Sequence, residues 1–134
     1  MKRRLHRDSD SATNLAIRIS VALVFVVTGV DKFLQSPEWD QVFKAIGWGD
    51  WFRYFTGIVE MAGGLMFLLP ATTTLGAALL SAAMIGAMTF HIAVLKQPAN
   101  ILFPGAYLVG VLLAYQMLRS KEPRNNGRRT IKRR

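Results

Sequence analysis

Lys32, Glu60 and His91 are ionisable residues set inside apolar stretches, where a charge must have a reason to be. Glu60 lies about 10 Å, or two helical turns, from the nearer end of its stretch. A carboxylate at that depth either protonates or finds a cation. Lys32 and His91 are the residue types that answer it, as a counterion, a hydrogen-bond donor or a proton carrier. Thr28, Tyr54, Asn100 and Asp31 stand at similar height and extend the candidate set for ligand binding or proton relay. Arg18 is a further embedded charge, one turn inside the first stretch, placed to extend its guanidinium to lipid phosphates.

The elements that must position these groups are helical. Apolar stretches at residues 15–34, 54–69, 73–95 and 99–118 approach or span a hydrocarbon core of ~30 Å at ~1.5 Å per residue. The fold class expected is therefore all-α: an integral membrane bundle of four transmembrane helices. The second stretch is the shortest and is expected either to stand upright or to extend into Trp51-Phe52-Arg53. Pro104 removes a backbone donor in the fourth, so the helix either kinks there or begins irregularly before it. Between the first two, Ser36-Pro37-Glu38 reads as a capped helix start and Gly47 as its stop. Trp39, Val42, Phe43 and Ile46 line one face of that segment, opposite Asp40, Gln41 and Lys44. It is a short amphipathic helix suited to lie in the interface. Trp39, Trp48 and Trp51, all the tryptophans of the chain, cluster in or after it and mark one membrane surface.

Charge sets orientation. Half of the 134 residues are hydrophobic, yet the net charge is +9, because Lys2, Arg3, Arg4 and Arg7 open the chain and eight Lys or Arg from Arg119 onward close it. These tails, residues 1–14 and 119–134, suit anionic lipid headgroups better than nucleic acid, given the apolar residues 15–118 between them. Both are expected in the cytoplasm, which requires an even number of spans. The first stretch holds Arg18 and ends without a small-x-small site, so it reads as a retained span and not a cleaved signal. Alternating helix directions then bring Lys32, Glu60 and His91 together in the outer half. The chain has no cysteine, which excludes dithiol chemistry and iron–sulfur clusters, and a single outer histidine gives no metal site. No haem or nucleotide motif is present.

Packing patterns support an inward-facing cluster. Gly57, Glu60 and Gly64 share one helical face, with Gly63 beside them, and small residues there admit a neighbouring helix closely. Arg18, Phe25, Gly29 and Lys32 share a face of the first helix. Two roles remain open for Lys32, Glu60 and His91: a salt-bridge network that fixes helix register, or a site for a small ligand such as a quinone.

Arg18, Phe25 and Gly29-x-x-Lys32, followed by Gly57-x-x-Glu60 with Gly63-Gly64 and Leu68-Leu69-Pro70, resemble the signature of the DoxX family. The similarity covers roughly residues 15–118. It implies a four-helix protein of the bacterial inner membrane, with members linked to quinone-coupled sulfur oxidation or to oxidative-stress assemblies. On that implication the chain would be a quinone-linked subunit beside a membrane oxidoreductase, its own catalysis left open. A non-catalytic scaffold or chaperone and a small-molecule permease are the competing functions, the last requiring a homo-oligomer.

Overall fold

The structure is a computed structural model that describes residues 2–34 and 36–121, with side chains for 11–34 and 36–120. Most of the basic tail residues assigned to lipid headgroups lie outside those side chains. Helix α1 runs Lys2–Asp31, α2 Pro37–Ile46, α3 Asp50–Leu68, α4 Thr73–Ala93 and α5 Leu102–Lys121, with a 3-10 turn at Pro98–Ile101.

Local sequence explains the boundaries. Helix α1 stops at Asp31, short of the Leu34 expected, because Phe33 and Leu34 N–H groups donate three residues back to the Val30 and Asp31 carbonyls. Helix α2 begins at Pro37, but the Ser36 hydroxyl makes no capping bond, contrary to expectation. The Ser36 carbonyl instead accepts from Asp40 N–H. Gly47 ends α2 at φ 78°, where its N–H reaches the Phe43 carbonyl, a left-handed position suited to glycine. Helix α3 does take in Trp51-Phe52-Arg53. Pro104 falls in the first turn of α5, where no intrahelical donor is needed, so the irregular entry is the 3-10 turn before it.

Around the bundle α1 packs on α3, α3 on α4, α4 on α5, and α5 back on α1, while α2 leans on α3. The closest crossing is glycine against glycine: a Cβ on Gly29 would stand 2.7 Å from the Gly57 carbonyl, and one on Gly57 2.9 Å from that of Gly29. Gly64 meets the Ala22 backbone of α1, whereas Gly63 and Gly76 bring α3 against α4. The shared interior holds Phe25, Phe67, Leu80, Met84, Val111 and Leu118.

Polarity is inverted relative to a water-soluble bundle. Arg53, Lys32 and Glu60 are buried at 1%, 4% and 6% exposure, while Leu23, Leu75, Leu102 and Leu113 face outward. An apolar exterior around buried charge is stable in lipid and not in water. Among the described residues three helical segments are long and apolar enough to cross a membrane: Ser11–Asp31, Thr73–Ala93 and Pro98–Ser120. Helix α3 has a similar length, 19 residues, but Arg53 and Glu60 lower its hydropathy.

Candidate functional site

Lys32 sits just past the end of α1, three residues or about one turn beyond Gly29 at its crossing with Gly57, and so reaches α3 at close range. Its Nζ donates to Glu60 Oε2 at 2.6 Å, and both side chains are nearly sealed from solvent. The same ammonium approaches the Thr28 carbonyl at 3.4 Å and lies 4.1 Å from the centre of the Trp39 ring. Trp39 is itself fixed, its Nε1–H donating to Asp31 Oδ2 at 2.6 Å. The adjacent residues Asp31 and Lys32 thus divide their work: one holds α2, the other holds α3.

A second polar tie joins α2 to α3. Arg53 Nη1 donates to Asp40 Oδ1 at 2.6 Å, and its Nη2 to the Tyr54 hydroxyl at 3.2 Å. Asp40 also accepts from Lys44 at 3.0 Å. That hydrogen bond, with the Lys44 and Arg53 charges, holds the Asp40 carboxyl below its ordinary range against some desolvation.

Beneath α2 lies a cavity of about 650 Å³. Phe25, Phe43, Phe52, Phe90, Phe103 and Tyr107 form its aromatic walls, and Trp39, Val42 and Ile46 of α2 close one side. Lys32, Glu60 and His91 all line it, as do Thr28 and Asn100. His91 does not join the ion pair: its Nδ1 is buried and has no hydrogen-bond partner. The predicted trio therefore shares one cavity but forms one bonded pair plus a free imidazole. Asn100 donates to Gln97 Oε1 at 2.8 Å within the 3-10 turn.

The remaining sequence candidates fall elsewhere. Tyr54 is not in the cavity wall; it stacks on Phe33 at 5.2 Å and accepts from Arg53. Trp48 packs edge-on against Phe52 and Phe90, and Trp51 against Phe52, outside the lining. Arg18 does not reach toward lipid. Its Nη1 donates to the Phe67 carbonyl at 3.2 Å and to Thr73 Oγ1, bracing the α3–α4 turn. Carbonyls at a helix end lack intrahelical donors, which makes them better partners than a distant phosphate. Gly29, Gly57, Gly63 and Gly64 serve close packing.

Arg53 is the buried charged residue beside the site that sequence reading passed over. Its signal was present: Arg53, Gly57, Glu60, Gly64 and Phe67 repeat at helical spacing and are all buried. Among the described residues no group of three His, Asp or Glu side chains converges to hold a metal.

The arrangement offers an apolar, aromatic chamber with an ion pair and an imidazole at one wall, inside a bundle whose outside is apolar. Searches among curated proteins and among solved structures gave no match. A family model described as DoxX-like matches residues 16–114, covering α1 from Ala16 onward, the Gly-x-x-Glu helix, the cavity and most of α5. The chain is a membrane protein of the DoxX-like family.

Proposed function

We propose that the cavity binds a small ring compound of the quinone class and that the protein is a redox-associated subunit of the bacterial inner membrane. In this reading α1, α3, α4 and α5 all cross the bilayer, α2 lies in the outer interface, and both termini are cytoplasmic. The observation that carries the reading is the aromatic cavity that His91 and the Lys32–Glu60 pair line together. The Nδ1 atom of His91 is itself sealed, so in this reading a polar ligand atom meets the imidazole through the part of the ring that lines the cavity. The volume suits one ring with the beginning of a tail, and aromatic walls suit stacking against it. Such a ligand would exchange electrons with a membrane oxidoreductase partner, while His91 and Glu60 handle protons at the ring edge.

Purification in mild detergent followed by mass analysis of co-extracted lipid tests the proposal. A stoichiometric quinone-class compound in the wild type, lost in His91→Phe, is expected. Wild-type protein carrying only phospholipid would sink it. A scaffold role is the second reading, favoured because Lys32 and Glu60 neutralise each other's charge within the bundle. It predicts that Lys32→Met combined with Glu60→Gln recovers partner proteins normally.

A further inference from the structure

Which redox form the cavity prefers follows from counting donors and acceptors on its polar wall, and this inference rests on the ring-binding reading above. An ammonium has three N–H donors. Those of Lys32 face Glu60 Oε2, the Thr28 carbonyl and the Trp39 ring, so its donating capacity is taken up inside the bundle. Tyr54, whose phenol could also donate to a ligand, is turned to Arg53 and Phe33, away from the cavity. The carboxylate of Glu60 is only half used. Lys32 takes Oε2, and Oε1 neither bonds within the described residues nor belongs to their sealed, unpartnered atoms. An ionised carboxylate accepts and never donates.

We infer that the cavity selects ligands presenting a hydroxyl donor to Glu60 Oε1, and hence favours the hydroquinol form of a ring over the quinone. A quinone carries only acceptor oxygens at its ring edge. Set against Glu60 Oε1, such an oxygen gives two facing acceptors in a low-dielectric pocket, which is repulsive. A hydroquinol places an O–H donor there and retains a second hydroxyl for the imidazole of His91, which can accept or donate.

The full chain in lipid nanodiscs is titrated anaerobically with three probes of one ring and tail: the benzoquinone, its dithionite-reduced hydroquinol, and the hydroquinol dimethyl ether. The ether keeps the shape and removes the donors, so the comparison needs no altered protein. The hydroquinol is expected to bind about ten- to a hundredfold more tightly than either other probe, the range for a hydrogen bond to a charged group. A quinone or ether binding as tightly as the hydroquinol overturns this inference and leaves the ring-binding reading standing. Failure of all three to bind overturns both. In Glu60→Gln combined with Lys32→Met, which removes both charges together, the preference should fall below threefold. Full preference in that variant would take the selecting role away from Glu60.

Discussion

Removing one member of the Lys32–Glu60 pair leaves the other charge enclosed without its counterion. Glu60→Gln or Lys32→Met alone should lower stability by about 3–5 kcal/mol, whereas the double substitution should recover most of that loss. Thermal unfolding in detergent, read as a double-mutant cycle, measures both. Asp40 supplies a pH test at the edge of the same site. Its folded pKa is depressed, chiefly by the Lys44 hydrogen bond, below the ordinary 3.8. The contribution of Asp40 is therefore fully present above that value and lost as pH falls through the lower, folded one. Trp39 fluorescence should report loosening of α2 on acidification, and Asp40→Asn should show the loosened signal already at neutral pH. An acid transition unchanged in Asp40→Asn would contradict this assignment.

Helix contacts make sharper demands on small residues. Gly29→Ala sets a methyl 2.7 Å from a backbone carbonyl of α3, with only a limited route for relief, so a loss of about 1–3 kcal/mol or more is expected. Nothing lies within 4 Å of a Cβ at Gly105 or Gly110. Alanine there should be neutral or stabilise by about 0.5–1 kcal/mol, through helix propensity. A similar loss at Gly29 and Gly110 would show that α1 and α3 do not cross as described. Much at this scale was legible beforehand. The second, third and fourth apolar stretches match long helices to within about four residues at each end, whereas α1 begins at Lys2, well before the expected residue 15, and the Gly57–Glu60–Gly64 face marks the packing side of α3. Terminal geometry was not legible, because Lys32 follows a helix end set by turn bonds of Phe33 and Leu34. Nor was the choice of partner for Arg18, which depends on the α3–α4 turn coming within its reach. Distances around the circle of the bundle separate Tyr54 from the cavity although it stands at the right height, and a one-dimensional pattern carries no such angle.

For the molecule as a whole, inverted polarity is the governing fact: buried charges within, apolar side chains outside. Because the chain has no cysteine, single introduced cysteines report topology without background. Ser11→Cys and Ser120→Cys should react with an impermeant thiol reagent only from the cytoplasmic side, and Lys96→Cys and Trp48→Cys only from the other. Opposite sidedness for the two termini would contradict four spans.

The central claim, that this bundle encloses a site for a quinone-class ring, is tested most directly through Trp39, the tryptophan that lines the cavity. With Trp48→Phe and Trp51→Phe, neither position being in the lining, Trp39 is the sole fluorescent indole. Titrating that protein anaerobically in nanodiscs with a short-tailed hydroquinol, the form the cavity favours, should quench Trp39 saturably, at one ring per chain, with saturation abolished by His91→Phe. Linear quenching without saturation, equal to that of a tryptophan-bearing peptide in the same lipid, would contradict the account.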